Sequence, residues 1–221
     1  MKHKYQPSNI GDYQRLKYLE NKPKTYLVPY YDKYRPTDSV RLPKFYVLPQ
    51  AWHRVARLLQ ANQIALQRLP RDTTLEVYSY YIDDFEFAKR PYEGHFPVQK
   101  LTVEKRSQSR HFLKGDYLIS TDQPGRRFMA SVLEPTASDS YLRWNFFDEI
   151  FQQKEYFSPY IFEETARQLL ASDGHLQEDF SQWKAKNPDL ASQPYATLSF
   201  IYKRSQFYEK EHLRYPVARI D

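Results

Sequence analysis

A histidine and a glutamate one helical turn apart can share a cation between imidazole and carboxylate. The string HLQE places His175 and Glu178 at that spacing. A catalytic metal needs a third protein ligand, and the only later histidine is His212. The same segment carries Leu176, Phe180 and Trp183 at helical intervals, which turns His175 and Glu178 away from the apolar stripe. The spacing therefore predicts a solvated helix, and no metal ligand or catalytic residue is assigned.

The other polar groups converge no better. His53 lies on the polar flank of a helix beside Trp52. In RPYEGH, Arg90, Tyr92, Glu93 and His95 crowd one tight turn, which local hydrogen bonds suffice to explain. Loops often carry function, so Arg90, Tyr92 and His95 are candidate ligand-binding residues, together with the rings of Tyr141 and Trp144. Asp83–Asp84 and Glu163–Glu164 are adjacent pairs whose side chains diverge on any regular element. There is no G-x-S-x-G elbow, no phosphate-binding glycine loop and no cysteine.

Composition narrows the classes. The 221 residues fit one large domain or two small ones. Twenty tyrosines against five glycines suit strands and rigid loops better than an all-helical bundle. No apolar run approaches the length of a bilayer span, and the N-terminus lacks the apolar segment of a secretory signal. The net charge of +6 is interspersed. Its one basic cluster, KRSQSRHFLKGDY at 105–117, reads as a solvated loop rather than a nucleic-acid patch.

Patterning predicts an α+β fold: a small β-α-β element and a mostly antiparallel sheet packed with several C-terminal helices. Residues 1–43, rich in Tyr, Lys and Pro, read as an extended arm, with TYLVPYYDKYRP at its centre. Residues 44–221 read as one α+β domain. KFYVLP is a buried strand, followed by a helix with Trp52, Val55, Ala56 and Leu59 on one face and Asn62 as its left-handed terminator. IALQRL is the second strand of the β-α-β element. Strands follow over 73–82, 96–104 and 116–120, with turns at IDDFE, YEGH and LKGD. Helices are expected after Pro124 and Ser158, the latter ending at Gly174, and again over HLQEDFSQWKAK. Leu198, Phe200 and Tyr202 alternate in YATLSFIYKR, which predicts a strand, and HLRYPVARI reads as an edge segment. In the stretch from Ser138 to Glu164, nine aromatic rings crowd together. Trp144, Phe147, Ile150 and Phe151 recur there at helical intervals, so the rings read as core packing rather than an open patch.

Four strings, FYVLPQAWHRVARLLQANQI, RPYEGH, GDYLISTDQPGRRFMASVLEPTASDSYLRWNFFDEIFQQKEYFSPYIFEE and FIYKRSQFYEKEHLRYPVARI, resemble the region downstream of the catalytic domain in bacterial zinc carboxypeptidases of the carboxypeptidase A type, particularly those of the Bacteroides group. The likeness runs over about residues 40–220. It implies a non-catalytic C-terminal accessory domain of an exported protein, with the peptidase domain or its peptide substrate as partner. The zinc would sit in the peptidase domain, and no cofactor is expected in this chain. His175 and Glu178 match the family's H-x-x-E letters but not its flanking pattern, so they are not carried over. Two other readings stand beside this one. The chain could be an independent peptide- or glycan-binding module using Tyr92, Tyr141, Trp144 and Tyr156 as exposed platforms. It could also bind nucleic acid through Lys105, Arg106, Arg110, Lys114, Arg126 and Arg127, which is the less favoured.

Overall fold

β-Branched and aromatic residues dominate 73–87, and that segment pairs with 98–112, apolar at Val98, Leu101, Val103 and Phe112, as a long antiparallel hairpin in an α+β fold. The structure, a computed structural model, describes residues 2–36 and 39–221. The chain divides between Ser39 and Val40 into two units. In the first, β1 (His3–Pro7) and β2 (Gln14–Tyr18) form an antiparallel hairpin, with the His3 ring against Tyr5 and Tyr18. The chain then runs on without regular structure to residue 36. Tyr26, Leu27, Val28, Tyr30, Tyr31 and Tyr34 are all exposed along it.

The second unit is built on a six-stranded sheet. Its strands are β3 (Phe45–Leu48), β4 (Gln67–Arg68), β5 (Thr73–Phe87), β6 (Val98–Phe112), β7 (Tyr117–Ser120) and β8 (Ala218–Ile220), in the order β4-β7-β3-β8-β5-β6. A 3-10 turn, Gln50–Trp52, leads into α1 (His53–Ala61), which buries Val55, Ala56 and Leu59. β3 and β4 each pair antiparallel with β7, so they run parallel to one another with β7 between them. The β-α-β element is thus split by a later strand.

In a flat sheet β6 and β7 would lie four strand spacings apart, about 19 Å. Only Leu113–Asp116 joins them, a turn with Gly115 at φ 95°, and five residue-to-residue steps span at most about 18 Å even when extended. The turn docks beside β4, where the Leu69 N–H donates to Asp116 O and the Gly115 N–H donates to Leu69 O. The sheet therefore curls into an open barrel. Val47, Leu69, Val77, Phe112 and Ala218, drawn only from strands and their ends, fill its concave side. The other side carries the larger core, where Tyr46, Leu48, Tyr80, Ile82 and Ile119 meet α1 and α2 (Arg126–Leu133).

The third layer is helical: α3 (Pro159–Ser172), α4 (Gly174–Lys186), α5 (Pro188–Ala191) and α6 (Pro194–Tyr202). Phe162, Ala166, Leu176, Phe180, Leu198, Phe200, Ile201 and Tyr202 form its own core.

Several expectations are corrected. Residues 195–204, expected as a strand, contain α6, because Leu198, Phe200, Ile201 and Tyr202 are buried around the helix and leave no one-sided stripe. HLRYPVARI is not an edge: Pro216 stops short of β8, which lies between β3 and β5. The basic cluster is not a loop, since Lys105 to Phe112 belong to β6 and pair with β5. IDDFE is not a turn but the site of a β-bulge between Ile82 and Asp84. The left-handed residue after α1 is Gln63, at φ 61°, while the Asn62 side chain donates back to Leu58 O. Gly174 begins α4 rather than ending α3; Asp173 caps α4 by accepting the His175 and Leu176 N–H groups. Between Tyr141 and Phe151 the chain forms turns and a short 3-10 helix, Asp148–Phe151, with Asn145 at φ 68°, instead of an α-helix.

Candidate functional site

Glu93 and Gly94, at φ 51° and 79°, supply the two left-handed positions of a two-residue hairpin turn. Around them Tyr92 and His95 exchange backbone hydrogen bonds of 2.8 and 2.9 Å. This turn ends the β5–β6 hairpin and brings its side chains to the aromatic stretch of residues 141–151. The His95 ring packs edge-on against Trp144 at 5.7 Å and stacks with Phe146 at 6.3 Å, and Tyr92 is 6.1 Å from Trp144 at a 42° tilt. Trp52, His53 and Arg54 from the start of α1, together with Glu149 and Lys154, complete an open cavity of about 620 Å³.

The candidate residues thus separate. His95 and Trp144 line the cavity, and Tyr92, 62 % exposed, stands beside Trp144. Arg90 is exposed on the approach to the turn. Tyr141 is buried, its ring 5.1 Å from Phe146, so it cannot serve as an exposed platform. The tilt between Tyr92 and Trp144 also departs from the coplanar surface that a stacking platform needs. Asn145 holds the cavity wall in place: its Nδ2 donates to Phe96 O at 3.0 Å and to Asp148 Oδ1 at 3.2 Å. Its buried Oδ1 has no partner among the described residues. Burial raises the Asp148 carboxyl above its ordinary pKa, with Asn145 and His95 pulling the other way.

The one-turn pair has no third ligand beside it among the described residues. His175 and Glu178 lie exposed on α4, and His212 is half-buried, its Nδ1 2.5 Å from the Tyr208 hydroxyl. Burial lowers the His212 pKa. Among the described residues no group of three His, Cys, Asp or Glu side chains is placed to hold a metal ion.

A buried polar network is invisible to local spacing. Glu134, at the end of α2, accepts from the Tyr46 hydroxyl at 2.6 Å and the Tyr80 hydroxyl at 2.9 Å. Arg219 of β8 donates to Tyr80 Oη at 2.7 Å and Glu134 Oε2 at 3.1 Å, and its other arm reaches Arg41 O and Asp221. Every carboxylate oxygen of Glu134 is matched by a donor, so the cluster locks β3, β5 and β8 to α2, with only Arg219 Nε in it lacking a partner among the described residues. Comparison with protein-family models, curated proteins and solved structures finds no match to this chain.

Proposed function

We propose that this chain is a non-catalytic accessory domain of a zinc metallocarboxypeptidase-like protein, packing on the peptidase domain and shaping access of peptide substrates. The observation that carries the reading is the first unit. It presents Tyr5, Tyr13, Tyr18, Tyr26, Tyr30 and Tyr34, all exposed, on a hairpin and on the chain without regular structure that follows it. So many exposed rings on so little structure call for a protein surface to cover them. The resemblance of residues 40–220 to the region downstream of a peptidase domain names the kind of protein that supplies it. By the same resemblance, zinc would belong to that partner domain. Export of the whole protein follows from the same reading.

The test joins this chain to a peptidase domain of that family and compares it with the peptidase domain alone. The joined protein should melt at a higher temperature and show an altered kcat/KM on peptide substrates, and replacing Tyr26, Tyr30, Tyr31 and Tyr34 with serine should reverse both. Identical stability and kinetics with and without the chain would reject the proposal.

A second reading, a peptide- or glycan-binding module, is favoured by one observation: Tyr92, His95 and Trp144 gather at the rim of the 620 Å³ cavity. Titrating oligosaccharides and short peptides while following tryptophan fluorescence separates the two. Saturable quenching lost in Trp144→Phe supports the module.

A further inference from the structure

At one end of the curled sheet, β3 finishes, β6 finishes and β7 and β8 begin. Pro49, Phe112, Asp116 and Pro216 mark that mouth, and they line a cavity of about 330 Å³. Arg110 projects into it from the concave face of β6. The residue is only 8 % exposed, and its guanidinium carbon lies 4.9 Å from the centroid of Phe112. One donor, Nη1, reaches the buried Ser79 hydroxyl at 3.1 Å. Among the described residues no carboxylate pairs with it, so most of a five-donor fork has no protein acceptor.

A second guanidinium shares the cavity. Arg214 is largely buried and pairs at 2.7 Å with Glu211, whose side chain faces water. Burial, reinforced by the charge of Arg214, pulls the Arg110 pKa down to about 10, against the smaller opposing pull of Tyr81, Glu211 and Asp116. The nearest buried acid, Asp116, is already engaged, accepting from the Gln50 N–H at 2.9 Å and the Leu113 N–H at 2.8 Å. A buried cation that lacks an anion is costly, and a neighbouring like charge makes it more so. The Arg219 site shows the ordinary remedy, a buried glutamate, and Arg110 has none. Trp52, Phe112 and Ile150 give the same cavity apolar walls.

We infer that the mouth of the curled sheet is a binding site for a small carboxylate with an apolar body, its oxygens held by Arg110 and Arg214 and its body laid on Trp52, Phe112 and Ile150. Mouths of curled sheets commonly hold small ligands, and a planar guanidinium fork matches a carboxylate in geometry. Inorganic phosphate offers the same oxyanion chemistry without the apolar body.

The experiment measures thermal melting and intrinsic tryptophan fluorescence of the full chain at constant ionic strength. The added compounds are phenylacetate, the neutral phenylacetamide, sodium phosphate, or sodium chloride. Phenylacetate should raise the melting temperature saturably and perturb the fluorescence, and the amide and chloride should do neither. Arg110→Gln should melt at or above the wild-type temperature without ligand, because it removes an uncompensated charge, and should lose the response to phenylacetate. Arg214→Gln, at a less buried position, should weaken the midpoint at least tenfold and provides the test should Arg110→Gln fail to fold. Equal responses in wild type and Arg214→Gln, equal responses to the amide, or no response to phenylacetate would each overturn the site. A response to phosphate alone would overturn its assignment to carboxylates.

Discussion

The hydroxyl of Tyr46 donates to Glu134 Oε1 at 2.6 Å, joining the middle of the sheet to the end of α2 across 88 residues of chain. Tyr80 and Arg219 complete the shell around the same carboxylate. Removing Glu134 would leave a buried guanidinium without its anion and two phenols without their acceptor. Glu134→Ala is expected to cost about 3–5 kcal/mol in urea unfolding. Tyr46→Phe, which deletes one donor to a carboxylate, should cost about 1–3 kcal/mol. The double variant should be less destabilised than the sum, because the partners act as one unit. Strict additivity would show that the network is not coupled.

Alkaline pH should attack the same cluster. Burial first, and then the Glu134 carboxylate, raise the phenol pKa values of Tyr46, Tyr80 and Tyr215, with Tyr80 raised to about 12. The unfolded chain ionises its phenols near 10.0. The contribution of these neutral phenols is therefore complete below pH 10 and is lost as pH rises through the folded-state values. Each such phenol should remove about 1.4 kcal/mol per pH unit in that window. Phenolate absorbance should show the exposed tyrosines titrating first and the buried ones only together with loss of the fold. A single non-cooperative titration of all tyrosines in a folded protein would contradict this.

What residue types reveal is whatever repeats over short distances. The strand at Phe45–Leu48, the face of α1 and the solvent-facing His175 and Glu178 all follow from local periodicity. α6 reads wrongly as a strand because its apolar residues surround the helix, and a helix with no polar side shows the same letters as a buried strand. The charged stretch of β6 reads wrongly as a loop because its outward residues are Lys, Arg and Ser, the usual cover of an edge strand, while Gln108, Arg110 and Phe112 turn inward. The cavity of His95 and Trp144 is partly legible, since both stand in turn-rich aromatic strings. The Glu134–Arg219 pair is not, because its members are 85 residues apart and nothing local marks either one. Arg110 stands in a basic string that by itself suggests nucleic acid, and only the curl of the sheet puts it inside.

Gly115 permits that curl. Its φ of 95° lies in a region that L side chains rarely adopt, and an added Cβ would stand 3.1 Å from the Gln50 Oε1. Gly115→Ala should cost about 1–3 kcal/mol through backbone strain. Gly94, at φ 79°, has nothing within 4 Å of an added Cβ, so Gly94→Ala should pay the strain alone. Gly115→Ala should therefore be the more damaging in urea unfolding, and should also loosen the amide protection of Gly115 and Leu69, whose hydrogen bonds close the turn. A Gly94→Ala variant destabilised more than Gly115→Ala would remove the Gly115 turn as the closure point.

Phe200 holds the helical layer together. Its ring lies 4.9 Å from Trp183 and 5.7 Å from Phe180, with the Arg204 guanidinium carbon 3.6 Å above its centroid. These contacts belong to a cluster distinct from the two sheet cores. Truncating a buried phenylalanine typically costs about 3–5 kcal/mol. Because the helical cluster is separate, Phe200→Ala should loosen it locally before the sheet unfolds. Hydrogen exchange should then quicken in α3, α4 and α6 while the β3, β7 and β8 amides stay protected. Fluorescence should shift as Trp183 meets water, a change that Trp183→Phe would abolish, since Trp52 and Trp144 lie outside the helical layer. Uniform acceleration across both helices and sheet would mean that the two layers unfold as one.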